Sequence, residues 1–271
     1  MKAAAFGYER PKDLAEALKL LSTSESKVLA GGQSLGPMLN LRVVQPALLV
    51  DLRGIEELKS FSENKDSVTL GACITHAQIE DGRVPDPTGP TIGFMREIAS
   101  NIAYRAVRNC GTVGGSLAHA DPAADWPSAL TLLGATAVIA GPGGQRELPV
   151  EKFLTGLFET ALKPGEILVA IRVPKLSARA RCGYWKFCRK AGEFPQAIGG
   201  ALQDPERGIA RAVIGATRGA PYLISKAESL LKNRGDAACM AAADAAGAGD
   251  DPYARQLHAV ALRRAAAKLL Q

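Results

Sequence analysis

Two glycine-rich stretches decide the fold of this chain: Ala30-Gly31-Gly32-Gln33-Ser34 and Thr112-Val113-Gly114-Gly115-Ser116. Each follows a short apolar or β-prone run, Val28-Leu29 before the first and Ala106-Val107 before the second, and each is predicted to form a turn. Glycine pairs let the backbone adopt φ > 0 and leave its N–H groups bare. Bare N–H groups in a tight turn form a concave nest for phosphate oxygens. Two such turns, both ending in serine, predict a two-sided cradle for a pyrophosphate and hence for a dinucleotide.

The composition is that of a globular protein large enough for two domains. The chain has 271 residues, of which 47% are hydrophobic and 22% are charged. Its net charge is +6, but lysine and arginine are spread along the chain and their short clusters lack interleaved aromatic residues. This pattern favours a solvated basic surface over a surface that binds nucleic acid. No apolar run is long enough for a signal peptide or a membrane span, so we expect a cytoplasmic protein.

The cysteines and histidines give little support for a metal site. The five cysteines are odd in number and contain no Cys-x-x-Cys spacing, which argues against a local zinc or iron–sulfur site. The three histidines, His76, His119 and His258, lie far apart in the sequence. Reduced thiols in the cytoplasm are the simplest interpretation of the cysteines.

Hydrophobic periodicity divides the chain into a small N-terminal α/β unit, a second mixed unit and a C-terminal part. The first unit contains predicted helices over 13–21 and 34–41 and predicted strands over 28–30 and 47–51. The second unit contains predicted strands over 67–72, 135–140 and 167–173, predicted helices over 75–79, 91–102 and 126–133, and a loop over 83–90. A linker over 176–181 precedes predicted strands over 182–189, 196–202 and 209–216 and alanine-rich helices over 224–231, 237–246 and 253–270.

The glycine stretches lack the spacing of the commonest nucleotide-binding motifs. Neither contains G-x-G-x-x-G, and neither carries the Gly-Lys-Ser/Thr of a P-loop, so a Rossmann domain and an ATPase are both disfavoured. The second stretch continues to Asp125, just before the helix predicted from Trp126. Asp125 has two interpretations at this point. It caps that helix, or its carboxylate accepts hydrogen bonds from a ribose hydroxyl or a flavin N–H.

Both stretches extend into longer motifs that resemble a known family. Residues 30–42 look like the first FAD-binding motif of the FAD subunits of molybdenum hydroxylases, and residues 109–125 resemble the second. These subunits have the PCMH-type FAD-binding fold, occur in carbon monoxide dehydrogenase and bacterial xanthine dehydrogenase, and are related to the vanillyl-alcohol oxidase flavoproteins. Shorter marks that agree with the resemblance lie at 46–52, 70–77, 165–168 and 173–174. The resemblance therefore covers nearly the whole chain.

The resemblance implies an α+β fold with two α/β FAD-binding subdomains and a smaller C-terminal sheet-plus-helices domain. The FAD-binding domain would cover residues 1–176, with subdomains of about 1–53 and 54–176, and the C-terminal domain would cover 177–271. The implied cofactor is FAD. The implied partners are an iron–sulfur (2Fe–2S) small subunit and a molybdopterin large subunit, assembled as a dimer of heterotrimers. Electrons would pass from 2Fe–2S centres through FAD to an external acceptor such as NAD⁺ or a quinone.

The resemblance also assigns cofactor-binding roles to individual positions. Residues 30–34 would donate backbone N–H groups to the pyrophosphate. The other side of the phosphates and the ribityl chain would be held by Thr112, Gly114, Gly115 and Ser116. Asp125 matches an acidic position that contacts the adenosine part. Lys186 resembles a lysine near the isoalloxazine, where a cation stabilises negative charge at the N1/O2 edge. The full candidate set is Leu29, Ala30, Gly31, Gly32, Gln33, Ser34, Leu35, Thr112, Gly114, Gly115, Ser116, His119, Asp125, Ile167, Leu168 and Lys186. No catalytic or metal-ligating residue is expected.

Several of these residues carry a second interpretation. Ile167 or Leu168 would pack against the flavin or the adenine. His119 falls near the cofactor, although a hydrogen-bonded structural histidine is the commoner kind. Lys186 is as readily a surface residue of a strand. The stretch 193–200 contains a proline and a glutamine where the family has small apolar residues, which leaves the flavin contacts there open.

Two other functions stay open from the sequence. A self-contained FAD-dependent oxidoreductase of the vanillyl-alcohol oxidase type would use the same cradle, but it would need its own substrate pocket and proton-transfer group. A basic binding protein would keep the fold without the cofactor. The loop over 83–90 contains no cysteine, so the additional iron–sulfur cluster of the 4-hydroxybenzoyl-CoA reductases is not expected.

Overall fold

The computed structural model describes residues 2–22, 25–89, 92–233, 235–249 and 251–270. The helices are α1 Leu14–Leu21, α2 Leu35–Asn40, α3 His76–Glu80, α4 Phe94–Ser100, α5 Arg105–Cys110, α6 Val113–His119, α7 Asp125–Leu133, α8 Val150–Phe153, α9 Ala227–Asn233, α10 Asp236–Ala245 and α11 Pro252–Ala267. The strands are β1 Gly7–Glu9, β2 Ser26–Leu29, β3 Leu48–Asp51, β4 Phe61–Glu63, β5 Ser67–Gly71, β6 Thr136–Gly141, β7 Gly144–Pro149, β8 Leu154–Gly156, β9 Glu159–Thr160, β10 Ile167–Pro174, β11 Arg181–Phe187, β12 Ala197–Asp204, β13 Ile209–Gly215 and β14 Tyr222–Leu223. These elements confirm the predicted α+β class.

The N-terminal subdomain is built on a small parallel sheet with strand order β1-β3-β2. The register of β2 and β3 places Leu29 beside Asp51, at the carboxyl ends of both strands. Helix α1 follows the N-cap Asp13 and buries Ala17. Ligands of open α/β sheets bind beyond the carboxyl ends of the strands. The first glycine stretch begins at this edge, directly after Leu29.

A buried carboxylate holds that edge of the sheet together. Asp51 is fully buried and accepts hydrogen bonds from Arg53 Nη2 at 2.7 Å and from the Tyr8 hydroxyl at 2.5 Å. Burial alone would raise the pKa of Asp51, but the hydrogen bonds from Arg53 and Tyr8 outweigh it and lower the pKa to about 2. The charged carboxylate therefore links the end of β3 to β1.

The second subdomain is a five-stranded antiparallel sheet with strand order β4-β5-β10-β6-β7. Alternation along β5 buries Val68 and Leu70 in the main core. Helix α7 is buried along its whole length, and its Trp126 lies in the same core as Phe94 of α4. Apolar residues in these elements thus form the largest hydrophobic cluster of the described residues. Val113, from the second glycine stretch, is part of this cluster.

The C-terminal sheet, with strand order β11-β12-β13-β14, lies between α7 and α11. Two neighbouring glycines of β12 make this close packing possible. A Cβ on Gly199 would overlap the backbone of α11 at Leu262, and a Cβ on Gly200 would lie 3.0 Å from Leu132 of α7. One face of the sheet joins the main core and the other forms a separate core with α9, α10 and α11. The domain boundary near residue 176 stays a prediction.

Most predicted elements match the structure, and the differences include strand β7, which was not predicted, and the region of the second glycine stretch. The predicted strands over 135–140 and 167–173 are β6 and β10. The run Ala106-Val107, described from the sequence as apolar or β-prone, lies inside helix α5 and not in a strand. The second stretch is not a turn, because Thr112 is the N-cap of helix α6. Residues 90 and 91, in the predicted loop and helix there, lie outside the described residues.

Two further features concern the described residues as a whole. Across those ranges, no helix is both long and apolar enough to cross a membrane. The same part of the chain contains no group of three or more His, Cys, Asp and Glu side chains that could hold a metal ion. The five cysteines are not joined in disulfides.

Candidate cofactor site

The first glycine stretch forms an open nest of backbone N–H groups. Gly32 adopts φ +69°, and the N–H of Gly36 donates to the carbonyl of Gly32 at 2.8 Å, which closes the turn before α2. Within the described ranges, the backbone N–H groups of residues 31–35 have no protein acceptor. The Ser34 hydroxyl, at the N-cap of α2, makes no capping hydrogen bond. This loop therefore offers a row of donors to an anion.

The second glycine stretch has a different local chemistry. Thr112 Oγ1 accepts a hydrogen bond from the N–H of Gly115 at 3.0 Å. The N–H of Val113 donates to the carbonyl of Ile74, and that of Gly114 donates to the carbonyl of Ala72, both at 3.0 Å. Because these N–H groups are already satisfied, the second stretch cannot form a second nest of the predicted kind. Its remaining donors toward a ligand are side-chain hydroxyls such as that of Ser116.

The two stretches nevertheless meet, as the sequence predicts. A Cβ on Gly31 would overlap the carbonyl oxygen of Cys110 and lie 2.7 Å from Cα of Gly111. A Cβ on Gly115 would lie 3.5 Å from Cβ of Ala30. The missing side chain of Gly31 therefore lets the first stretch pack directly against the end of α5. Gly31 thus lies at the contact between the two predicted subdomains, and Gly115 lies at ordinary contact distance from Ala30.

A buried histidine that sequence reasoning missed lies behind this junction. The backbone N–H of His76 donates to the carbonyl of Gly111 at 2.9 Å, and a Cβ on Gly111 would lie 2.8 Å from His76 Nε2. Trp126 Nε1–H donates to His76 Nδ1 at 3.0 Å. Burial, together with the nearby Arg108 guanidinium, lowers the pKa of His76 to about 4. His76 is therefore neutral near pH 7, with Nδ1 as an acceptor.

Asp125 and Lys186 form a buried ion pair. Lys186 Nζ donates to Asp125 Oδ2 at 2.8 Å and the Tyr184 hydroxyl donates to Asp125 Oδ1 at 3.0 Å. Asp125 is the first residue of α7 and Ala124 is the N-cap, so the capping interpretation of Asp125 was wrong. Burial raises the pKa of Asp125, and burial with the neighbouring carboxylate raises the pKa of Tyr184 well above its usual value. Tyr184 is thus a hydrogen-bond donor.

This pair lines a small polar cavity of about 170 Å³ between α4 and β11. The lining residues are Glu97, Ile98, Asn101, Asp125, Tyr184, Trp185, Lys186 and Lys268. Resemblance alone assigned Asp125 and Lys186 to opposite ends of the cofactor. Since their charged atoms are 2.8 Å apart, both side chains can contact only the same part of a cofactor. Lys186 is also not a surface residue, because its side chain is 16% exposed.

His119 lies at the last position of α6, beside an exposed aromatic residue. Its ring centroid is 5.1 Å from that of Phe158, which adopts φ +56° at the tip of the β8–β9 hairpin. Burial lowers the pKa of His119; the nearby Asp121 carboxylate opposes this effect and the charge of Lys27 adds to it. In the part of the chain that the structure describes, the His119 ring has no hydrogen-bond partner, unlike a typical structural histidine.

Ile167 and Leu168 leave little surface for a ligand. Ile167 is 2% exposed and packs in the core of the N-terminal subdomain, and Leu168 is 4% exposed and packs in the main core. Both residues lie at the beginning of β10, between the two subdomains. Their contact with a cofactor stays a prediction.

Comparisons with known proteins show which family and which solved structures this chain is similar to. Residues 4–176 match the family described as the FAD binding domain in molybdopterin dehydrogenase. The chain is 34% identical over 239 residues to the 6-hydroxypseudooxynicotine dehydrogenase complex subunit alpha of Paenarthrobacter nicotinovorans, covering 85% of this chain and 79% of that protein. It is 37% identical over 195 residues to the carbon monoxide dehydrogenase medium chain of Hydrogenophaga pseudoflava, covering 71% and 67% of the two chains. A solved structure of carbon monoxide dehydrogenase from that organism superposes with a TM-score of 0.86 at 30% identity, covering 100% of this chain and 99% of the other.

Proposed function

The chain belongs to the family of FAD-binding domains in molybdopterin dehydrogenases, and from this premise we propose that it is the electron-transfer subunit of a three-part molybdenum hydroxylase. Its cofactor is FAD, and it is a subunit of an oxidoreductase. Bound FAD supplies redox chemistry that would connect 2Fe–2S centres in a partner to an external acceptor such as NAD⁺ or a quinone. The protein's own task is to hold, orient and electrostatically tune the cofactor.

The open nest at residues 31–35 is the observation that carries this proposal. Five successive N–H groups that find no acceptor among the described residues suit the oxygens of a pyrophosphate, which needs many donors and little side-chain bulk. The Ser34 hydroxyl adds a donor on the same loop, and the Ser116 hydroxyl adds one from α6. The residues present therefore fit FAD, with the pyrophosphate at the nest.

The other candidate residues take roles around this centre. Leu29 and Leu35 flank the nest, and Thr112 fixes the start of α6 beside it. Asp125 and Lys186 contribute as one unit at one part of the cofactor, where Asp125 balances the lysine charge. The neutral ring of His119 offers a flat surface at the far end of α6.

The proposed partners are an iron–sulfur small subunit and a molybdopterin large subunit, assembled as a dimer of heterotrimers. The names of the relatives support separate partner chains, since one is a complex subunit alpha and another a medium chain. The substrate would then bind in the large subunit. Five cysteines without a disulfide support a reducing compartment, so we place the complex in the cytoplasm.

The alternative of a self-contained oxidoreductase is not favoured by these relatives. Purification of the tagged full-length chain from its native cells tests the choice. We expect a larger chain with molybdenum and a smaller chain with iron to co-elute. Substrate turnover by the full-length chain alone would refute the subunit assignment.

A matched pair of glycine variants tests the nest. Gly32 has φ +69°, where valine is strained, whereas a Cβ on Gly36 meets no atom within 4 Å. We expect Gly32→Val to weaken FAD binding about tenfold or more, as 1–2 kcal/mol of backbone strain implies. Gly36→Val should bind FAD like the native chain. Titration of the FAD-free full-length proteins measures both, and native affinity in Gly32→Val would reject the placement.

A further inference from the structure

One ammonium group joins both ends of segment 101–125. Lys186 Nζ donates to the carbonyl oxygen of Asn101 at 2.9 Å and to Asp125 Oδ2 at 2.8 Å. Between these two acceptors the chain forms α5, the second glycine stretch and α6. Lys186 itself comes from β11, in the C-terminal sheet. A residue distant in sequence thus fixes the separation of the two ends.

Burial makes this linkage strong. The side chain of Asp125 is 7% exposed and that of Lys186 is 16% exposed, so little water competes for either charge. The Tyr184 hydroxyl, on the same face of β11, donates to the second carboxylate oxygen at 3.0 Å. Charge-assisted hydrogen bonds in such surroundings are the strong ones.

Other contacts from the C-terminal part of the chain reach the same two ends. The Tyr104 hydroxyl donates to the carbonyl of Ala191 at 3.0 Å. At the other end, the N–H of Ala216 donates to the carbonyl of Pro122 at 2.9 Å. Lys186 is the only one of these contacts that touches both ends at once.

The geometry of segment 101–125 matters because its middle supports the nest. The carbonyl of Cys110 and Cα of Gly111 pack against Gly31 with no room for a side chain. Helix α5 has no buried residue of its own, so apolar packing does little to hold it in place. Local contacts also hold the middle of the segment, namely the ion pairs of Arg105 and Arg108 with Asp81 and Glu80. We therefore expect release of the two ends to loosen the packing of Cys110 and Gly111 against Gly31.

We propose that Lys186 is a positioning residue that, by joining Asn101 to Asp125, holds Cys110 and Gly111 against the nest and thereby sets the affinity of the chain for FAD. The proposal rests on FAD as the cofactor of the nest. It assigns Lys186 an effect that is transmitted through the protein and is already present before FAD binds. Asp125 acts through Lys186 in the same linkage.

Hydrogen exchange and FAD titration of full-length variants test the proposal. Lys186→Met removes both hydrogen bonds, and Asp125→Asn weakens one of them. Lys232→Met is the control, because Lys232 is an exposed lysine of the C-terminal part that donates to Glu228 Oε1 at 2.8 Å and does not line the cavity. Amide exchange is measured by mass spectrometry on the FAD-free proteins, and the FAD dissociation constant is measured on the same preparations.

In Lys186→Met we expect faster exchange confined to residues 105–119 and an FAD dissociation constant raised at least about tenfold, the scale of one lost charge-assisted hydrogen bond. Asp125→Asn should give a smaller change of both, and the double variant should resemble Lys186→Met. Lys232→Met should match the native chain. Unchanged exchange over 105–119, exchange raised equally over 197–215, or unchanged FAD affinity would each overturn the proposal. If the native chain does not bind FAD, the proposed function fails while the exchange measurement still decides the linkage.

Discussion

Replacement of His76 by asparagine is expected to remove a large part of the acid sensitivity of folding. His76 is 5% exposed, and Trp126 Nε1–H donates to its Nδ1 at 3.0 Å. The amide oxygen of asparagine can take the place of Nδ1 as the acceptor, but asparagine does not titrate. The substitution therefore keeps the hydrogen bond and removes the ionisable group.

The magnitude follows from the pKa of His76. Folding lowers it from 6.5 to about 4, mainly through burial. Between these two values the unfolded chain binds a proton that the folded chain does not, so stability falls as the pH is lowered through this window. Each pH unit is worth about 1.4 kcal/mol, so His76 costs the native protein about 3 kcal/mol of unfolding free energy by pH 4 relative to pH 7.

Urea unfolding of the FAD-free full-length proteins at several pH values between about 7 and 4 measures this effect. Carboxylates titrate in both proteins, and their contribution cancels in the difference between native and His76→Asn. We expect that difference to change by about 3 kcal/mol in favour of the variant as the pH falls. Parallel stability curves would refute the reasoning, because they would mean that His76 has the same pKa in the folded and unfolded chains.

Two further variants test how much Gly114 and Asp51 contribute to the stability of the fold without FAD. In Gly114→Val the added Cβ would lie 2.6 Å from the carbonyl oxygen of Ala72. We therefore expect this variant to lose about 3 kcal/mol of unfolding free energy even without FAD. Unfolding at the same denaturant concentration as the native protein would contradict this expectation. Asp51→Asn should lower the unfolding free energy by about 1–2 kcal/mol near neutral pH. The fold lowers the pKa of Asp51 to about 2, so the stabilisation by its charge is fully present above pH 3.8 and is lost as the pH falls toward 2. If native and Asp51→Asn proteins still differ by about 1–2 kcal/mol in unfolding free energy at about pH 2, this reasoning is contradicted.

The elements that could be predicted from sequence are those whose stability comes from apolar burial, on all sides as in α7 or with partial alternation as in β10. Helix α7 and strand β10 carry such patterns and lie where the sequence predicts them. Helix α5 was missed because it has no buried residue and depends on ion pairs, among them Arg108 with Glu80 and Arg105 with Asp81. Strand β7 was missed for a related reason: it is a mostly exposed edge strand with polar residues.

The candidate site was predictable where local backbone chemistry defines it and not where distant residues meet. Gly32 and its neighbours were found because glycine pairs have a direct conformational meaning. The hydrogen bond between Trp126 and His76 joins residues 50 positions apart, and the Lys186–Asp125 bond spans 61 positions. No local pattern encodes such pairs, so resemblance placed Asp125 and Lys186 separately and only the fold brought them together.

The glycines of the two stretches do not all serve the cofactor, and this changes how variants of the motif should be understood. Gly31 faces the carbonyl of Cys110 and Gly114 faces Ala72, so both are required by contact between protein backbones. Only Gly32 owes its place to a left-handed conformation within the nest. A side chain at Gly31 would therefore weaken FAD binding by separating the subdomains, and one at Gly114 would do so by displacing α6 from Ala72 within the second subdomain, whether or not either residue approaches the pyrophosphate. Since the joint and the nest share the same few residues, a sequence that keeps these stretches keeps the packing of its subdomains as well as its cofactor site.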